Sequence, residues 1–287
     1  MIGHARRGSP DLVAGTRRDP LGEVRTSWAK LGQTDPLWAV CVDHSRRGGR
    51  WDPAQLLASG RREVGDAIAV LDRLGLCARR ERALDFGCGV GRLTAALTDH
   101  FAAVTGVDIS APMLAQARAI NSAVTRCTFL SNDAPDLRLF ADGSFDLVYS
   151  SLVLQHLPPP VAARYLAEFA RVVRAGGAIA LLVPERHLRT PRGFAYAYAP
   201  QRVIAWFQLS VFGYPAPMRM HALPAGRVKR VVEPLGARLI ASERHPGYGG
   251  HWRMAMHFVA APSVPAASHP APSTPVGQPV HDDVRSG

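Results

Sequence analysis

Short apolar runs alternate with amphipathic segments between about residues 82 and 184 of the chain. The apolar runs predict five strands, at residues 83–86, 103–107, 127–130, 145–149 and 179–183. The segments between them predict helices at residues 92–100, 111–121 and 161–174. The fifth strand is apolar throughout, as expected of a strand that is covered on both faces. This alternation predicts an α/β fold with an open, doubly wound sheet, whose ligands bind at the carboxyl ends of the strands.

The pattern changes on both sides of this alternating stretch. A helical pattern runs from Asp52 to Gly75, whereas residues 1–50 are rich in Arg, Gly and Asp and predict a loosely ordered arm. Residues 185–224 carry many aromatic side chains and predict a lid over the sheet. From residue 261 the composition is mainly Pro, Ala and Ser, which predicts a disordered tail. We therefore expect the arm at 1–50, one α/β domain at 51–260 with its lid at about 185–224, and the tail at 261–287.

Composition allows an ordinary packed core, since 47% of the 287 residues are hydrophobic and 20% are charged. The 34 basic residues outnumber the 23 acidic ones and give a formal net charge of +11. All but Lys30 and Lys229 are arginines, and they are dispersed rather than clustered, which favours a compositional bias over nucleic-acid binding.

The four cysteines have no metal-site or redox spacing, so no metal is expected. No apolar run has the length of a signal peptide core or a membrane span, which predicts a cytoplasmic protein.

A glycine-rich segment follows the first predicted strand and precedes the first helix. It places Gly87, Gly89 and Gly91 at spacings of two, two positions after Asp85. Glycines let the backbone turn tightly and approach a ligand, and the following helix offers free N–H groups. Asp108 ends the second strand, where a carboxylate can accept hydrogen bonds from both hydroxyls of a ribose. The segment therefore predicts a site for a ribose-containing cofactor, with a spacing unlike the G-x-G-x-x-G of dinucleotide enzymes.

This segment resembles the first motif of the class I S-adenosylmethionine-dependent methyltransferases. Further segments resemble the later motifs of that family in the same order, at residues 107–110, 132–134, 144–150 and 171–177. The resemblance is dense over residues 83–184 and thin over 225–259. It implies a Rossmann-like, mostly parallel seven-stranded sheet with a helical N-terminal extension and an inserted lid. It also implies S-adenosyl-L-methionine as the cofactor.

Carried over residue by residue, the resemblance implies two groups of cofactor contacts. Around the methionine end it implies Asp85, Gly87, Gly89, Gly91, Arg92 and Ser150. Around the adenosine end it implies Asp108, Ile109, Met113, Asp133 and Ala134. Two of these residues have an equally good structural interpretation, because Arg92 could be a solvated first-turn arginine and Met113 could be a core residue.

His156 follows the fourth strand and is the best candidate for a catalytic base, although a structural role in its loop has equal weight. We expect methyl transfer to a small-molecule acceptor, with O-methylation slightly favoured. The lid aromatics predict either a pocket for an aromatic or lipid-like acceptor, a membrane-surface patch, or simply buried packing. Two alternatives remain open: a catalytically silent cofactor-binding scaffold, and a nicotinamide-dependent oxidoreductase.

Overall fold

A seven-stranded sheet forms the centre of the chain in the computed structural model, which describes residues 19–262 except 247–249. The strand order is β3-β2-β1-β4-β5-β7-β6. The strands are β1 Arg82–Phe86, β2 Ala103–Asp108, β3 Cys127–Ser131, β4 Phe145–Ser151, β5 Val173–His187, β6 Arg238–His245 and β7 Trp252–Ala260. Strands β1 to β5 pair in parallel, whereas β7 runs antiparallel to both β5 and β6. The predicted doubly wound, mostly parallel sheet is therefore confirmed.

Helices cover both faces of this sheet. They are α1 Gly22–Thr34, α2 Pro36–Val40, α3 Pro53–Arg73, α4 Arg92–Leu97, α5 Ala111–Ile120, α6 Pro159–Val172, α7 Pro191–Tyr198, α8 Gln201–Trp206 and α9 Ala225–Val232. A single π-helical turn, Phe207–Val211, continues α8. Alternate strand residues enter two separate cores: one packs against α6 and α9, and the other against α3 and α4. No helix among residues 19–246 and 250–262 is long and apolar enough to cross a membrane.

The start of β5 differs from the prediction. The sequence predicts a helix through residue 174 that is ended by Gly176 and Gly177, but the helix ends at Val172 and the strand begins at Val173. Val173 pairs with Phe145, and the register shifts before the next pairs form. A Cβ at Gly177 would lie 2.5 Å from the Asp146 carbonyl oxygen, so the glycine allows close strand approach inside this irregular start.

The part of the predicted, partly ordered N-terminal arm that the structure describes is folded. Residues 19–50 include α1 and α2, and the side chains of Leu31 and Trp38 are fully buried. They pack with Met113 of α5 and with Leu56 of α3 in one apolar cluster. Residues 1–18 and the predicted tail from residue 263 onward lie outside the described residues.

Asp146 joins the amino-terminal ends of three strands. Its Oδ2 accepts hydrogen bonds from the backbone N–H groups of Glu81 (3.0 Å) and Arg82 (2.8 Å) at the start of β1. Its Oδ1 accepts from Arg174 in β5, at 3.0 Å. The carboxylate is almost fully buried, so these bonds replace the water that it loses on folding.

We expect Asp146→Ala to lower the free energy of unfolding by about 2–4 kcal/mol, because it strands two backbone donors and a guanidinium. Urea unfolding measures the loss. Asp142→Ala is the matched control, since it removes an exposed ion pair to Arg171 that is worth less than about 1 kcal/mol. Equal effects of the two variants would contradict the role assigned to Asp146.

Candidate active site

One cavity of about 750 Å³ lies at the carboxyl ends of the central strands. Its inner part is bordered by the glycine-rich segment and the ends of β1, β2 and β4, and its outer part by the lid. Helix α1 and residues 39–43 of the arm close another side. The sequence-predicted residues that line it are Gly87, Gly89, Asp108, Ile109 and His156. The cavity therefore brings cofactor-type residues and the candidate base into one space.

The glycine-rich segment forms a cradle that only glycines allow. Gly87 and Gly89 have φ angles of 75° and 53°, in the left-handed region. A Cβ at Gly87 would lie 2.3 Å from a methyl group of Val153, and a Cβ at Gly89 would lie 2.6 Å from a methyl group of Val40. The backbone of Gly87 and Gly89 therefore borders the cavity directly.

Asp108 holds this cradle against the end of β2. One carboxylate oxygen accepts a hydrogen bond from the Gly89 N–H and the other from the Ser110 N–H, both at 2.8 Å. Burial raises the pKa of Asp108 above its usual value, while these N–H groups act to lower it. Each oxygen has a second lone pair, and the carboxylate lines the cavity. It can accept further hydrogen bonds from a pair of hydroxyl groups.

Asp85 lies behind the glycine cradle. Its Oδ2 accepts a hydrogen bond from the Thr94 hydroxyl at 2.7 Å, and its buried Oδ1 has no hydrogen-bond partner among the described residues. Burial raises the pKa of Asp85 to about 7, against the smaller lowering effects of the Thr94 hydroxyl and Arg92. Because its pKa lies near neutrality, this carboxyl group loses its proton readily when a cation binds nearby.

Four further residues that the sequence suggested for the cofactor lie behind the cavity wall. Arg92 forms a buried ion pair with Glu63, at 2.7 Å. Gly91 is the left-handed N-cap of α4. Met113 is packed in the core beside Gly32, and the Ser150 hydroxyl donates to the Phe86 carbonyl at 3.1 Å. Their cofactor roles stay predictions, and any contact would have to come through the backbone or a local movement.

Glu63 is a residue that the sequence reading missed. It lies on the buried face of α3 and accepts hydrogen bonds from Arg92 and from the Ser151 hydroxyl, at 2.7 and 2.6 Å. Ser151 lines the cavity, so Glu63 links α3 and the first turn of α4 to the end of β4. The available signal was an acidic residue among the apolar positions 60, 64, 67, 68 and 71 of one helical face.

Helix α1 covers the predicted adenine side of the site. Its Arg25 donates to the Asp133 carbonyl at 3.2 Å, and the Asp133 side chain is exposed. The Ala134 carbonyl accepts from the Tyr165 hydroxyl. Asn132, rather than these two residues, lines the cavity. The predicted adenine contacts of Asp133 and Ala134 are therefore at the edge of the cavity and stay predictions.

His156 faces the junction between the inner and outer parts of the cavity. Its Nδ1 lies 2.7 Å from the Arg219 carbonyl oxygen, which can only accept, so Nδ1 carries the proton. Nε2 is therefore the acceptor nitrogen, and the Gln155 side-chain amide donates to it over a long 3.5 Å. The Trp28 ring packs edge-on at 5.0 Å. Burial lowers the pKa of His156 to about 4, so the ring is neutral near pH 7. Leu152, next to it on the cavity wall, has a strained φ of 61°.

The outer part of the cavity is aromatic. It is lined by Tyr196, Tyr214, His251, Trp252, Met218 and Met220. The Tyr196 ring stacks on His251 at 3.9 Å. Burial, reinforced by the nearby Arg192, lowers the pKa of His251 to about 4. Aromatic rings and the Arg192 guanidinium line this compartment together, which fits a flat aromatic molecule.

The chain matches both a family model and individual curated proteins. Residues 83–177 match the family described as "Methyltransferase domain". The chain is 42% identical over 106 residues to a trans-aconitate 2-methyltransferase of Deinococcus radiodurans, a match covering 36% of this chain and 38% of that protein. It is 37% identical over 147 residues to a demethylmenaquinone methyltransferase of Beutenbergia cavernae, covering 51% and 55% of the two chains. The chain thus spans from about two fifths to just over half the length of these curated relatives.

The fold is similar to solved methyltransferase structures. One is the magnesium protoporphyrin IX methyltransferase of Synechocystis PCC 6803 with bound SAH, with a TM-score of 0.56 and 20% identity. That match covers 83% of this chain and 98% of the other, and at this identity it supports the fold alone. The family match and the related sequences coincide with the strands and the glycine cradle that build the cavity floor. Residues 83–177 are therefore similar to the methyltransferase domain family, and the fold around them is that of solved S-adenosylmethionine-dependent methyltransferases.

Proposed function

We propose that the protein transfers a methyl group from S-adenosylmethionine to a small-molecule acceptor. The observation that carries this proposal is that one cavity joins the glycine cradle and the Asp108 carboxylate to His156 and the aromatic compartment. Cofactor and acceptor can therefore meet inside a single enclosed space, where alignment supplies most of the catalysis. A scaffold that only binds the cofactor has no need of the second compartment.

The residues at the inner end fit the cofactor. Asp108 offers acceptor lone pairs for ribose hydroxyls, and the glycine cradle leaves room that any Cβ would fill. The orphaned Oδ1 of Asp85 offers a nearby negative charge to an ammonium group. When bound, S-adenosylmethionine supplies an activated methyl group, and this chain's residues supply position and the exclusion of water.

His156 supports O-methylation over other outcomes. Its neutral ring can accept a hydrogen bond at Nε2 from an acceptor hydroxyl, while the Arg219 carbonyl fixes the ring orientation through Nδ1. With the cofactor bound, the oxygen–methyl bond would form as the sulfur–methyl bond breaks, its electron pair would stay on the sulfur of departing S-adenosylhomocysteine, and the hydroxyl proton would pass to Nε2. A carboxylate acceptor would need no such proton removal, so His156 would only orient it.

The side chains that line the outer part of the cavity support a class of acceptor. Stacked rings and two methionines favour an aromatic acceptor that carries a hydroxyl group. The names of the relatives include acceptors as different as trans-aconitate and demethylmenaquinone, so the family match alone does not narrow the class.

The direct test of this function is transfer of a labelled methyl group to a panel of phenols, hydroxyquinones and carboxylic acids. We expect an O-methylated phenol or hydroxyquinone, identified by mass spectrometry. Tight cofactor binding without any product across the panel would support the scaffold alternative, and NADH binding in place of S-adenosylmethionine would support the oxidoreductase.

We expect Asp108→Ala to weaken S-adenosylmethionine binding by about 10- to 100-fold. The variant loses charge-assisted hydrogen bonds to the ribose and releases the Gly89 N–H that holds the cradle. Isothermal titration measures the dissociation constant. Asp99→Ala is the matched control, because that carboxylate forms only an exposed ion pair with Arg61. Unchanged affinity in Asp108→Ala would contradict the site.

Asp85→Asn should raise stability while weakening cofactor binding. The folded protein holds a proton on Asp85 up to about pH 7, whereas the unfolded chain releases it near pH 4. Stability of the natural protein therefore falls across this window as pH rises, and the neutral amide avoids this loss. Thermal unfolding should show the gain of Asp85→Asn above about pH 7 and its disappearance below about pH 4.

The exposed Asp66→Asn serves as its control and should change neither property. A cofactor affinity that is unaltered by Asp85→Asn would remove Asp85 from the binding site, even if the stability gain is found.

His156 should remain a neutral ring with its proton on Nδ1 down to about pH 5. The Arg219 carbonyl selects this tautomer, and burial disfavours the imidazolium. Nitrogen-15 NMR of the imidazole rings measures both properties, with His156→Gln used to assign the signal. A proton on Nε2, or titration near pH 6.5, would show that Nε2 is not available as the acceptor.

A further inference from the structure

The outer side of the lid is the most apolar exposed surface of the described chain. Thirteen large hydrophobic side chains are exposed among the described residues, and eight of them fall within residues 194–212. We call these eight the outer lid surface: Phe194, Tyr198, Val203, Trp206, Phe207, Leu209, Val211 and Phe212. Trp206 is 56% exposed and Tyr198 is 79% exposed. Clustered exposure of this kind marks an interaction site rather than ordinary surface scatter.

The lid helices turn their apolar side outward because a polar residue anchors the inner side. Gln208 is buried, and its side-chain amide donates to the Met218 carbonyl and accepts from the Met218 N–H, at 3.1 and 2.9 Å. Ile204, one helical turn earlier, faces the cavity with Gln208. This double hydrogen bond fixes the rotation of the segment, so Trp206, Phe207, Leu209 and Val211 point away from the protein.

The sequence of the lid carries basic but no acidic residues. Residues 186–232 contain no Asp or Glu, although the whole chain has 23. Within the lid sequence the cations are Arg186, Arg189, Arg192, Arg202 and Arg219, of which Arg219 forms an ion pair with Glu23 of α1. Three further cations follow on α9, which packs against α6 and β6 rather than in the lid. A second copy of the chain would bring this positive surface against itself, which like-charge repulsion disfavours. An anionic partner is favoured.

We propose that the outer lid surface docks on an anionic phospholipid bilayer. Aromatic and aliphatic side chains on short helices, bordered by arginines and lacking acids, are the features that bury in the headgroup region of a membrane. Trp206 and Tyr198 suit that interface because each ring combines apolar area with one polar group. Arg189 and Arg202 have no ion pair among the described residues and can contact lipid phosphates.

Docking has a consequence for the acceptor. Gln201, Ile204 and Gln208 line the cavity from the same segment whose other side carries the docking surface. A docked lid would place the aromatic compartment next to the bilayer, so an acceptor dissolved in the membrane could enter it directly. This consequence rests on the proposed methyl transfer, whereas docking itself does not.

Vesicle co-sedimentation tests the docking. The full chain should bind vesicles of mixed phosphatidylcholine and phosphatidylglycerol, and bind phosphatidylcholine alone far more weakly. Raising the salt to about 1 M, where the Debye length is about 3 Å, should weaken the binding. Trp206→Ser combined with Phe207→Ser should lower the partition coefficient at least about tenfold, since two large apolar groups no longer insert.

Matched variants separate docking from general effects. Leu139→Ser combined with Leu235→Ser removes two exposed hydrophobic side chains outside the lid and should leave binding unchanged. Arg189→Gln with Arg202→Gln should weaken binding to anionic vesicles, whereas the exposed pair Arg62→Gln with Arg126→Gln should weaken it less. Isothermal titration with S-adenosylhomocysteine checks that each variant retains a folded cofactor site.

Three results would overturn the docking proposal. They are absence of vesicle binding by the natural chain, equal binding to neutral and anionic vesicles, and a concentration-dependent dimer that Trp206→Ser dissociates. Docking without methyl transfer to any acceptor would instead leave this proposal standing and contradict the proposed function.

Discussion

The hydrogen bond from the Gly89 N–H to the Asp108 carboxylate is the contact on which the site depends. It ties the loop after β1 to the end of the neighbouring β2, so two strands present one continuous polar edge to the cavity. Without it, two glycines with left-handed φ angles would have many accessible conformations. The carboxylate therefore has a structural role in the free protein and can still accept ligand hydroxyls with its remaining lone pairs.

Buried charged groups surround this contact, and they lower the stability of the fold while they shape the site. Asp85 has one carboxyl oxygen without a partner, and the Glu63–Arg92 pair is almost entirely removed from water. Apolar replacements of similar volume would often stabilise such positions. Glu63 also accepts from Ser151 on the cavity wall, so it fixes the end of β4 relative to α4. The polar groups set the geometry of a binding site at a cost in stability.

The sequence predicted the sheet and the glycine cradle because both depend on local pattern. Apolar runs bounded by glycine locate the strands, and the acid after β2 is recognisable by its spacing from Gly91. The start of β5 was missed because strand pairing between Val173 and Phe145 overrides a helical pattern. Met113 and Arg92 could not be placed from spacing, since their positions are set by distant partners, Gly32 and Glu63. The orientation of the Asp133 side chain depends on Arg25 of the arm, which sequence alone does not bring near.

The orientation of the lid side chains also could not be predicted from the sequence, and that orientation bears on function. Residues 203–212 read as an apolar run in the sequence, and such a run is equally compatible with a buried helix and with an exposed one. What decides between them is Gln208, whose two hydrogen bonds to Met218 turn a polar side chain inward and leave the aromatic side chains in solvent. A protein that buried this run would gain apolar burial at little cost, so its exposure needs a compensating interaction. Residues 186–232 contain no acidic residue, which supports the proposed anionic bilayer as the partner. The cavity and the outer lid surface are then two sides of one element, and Gln208 sets the orientation of both.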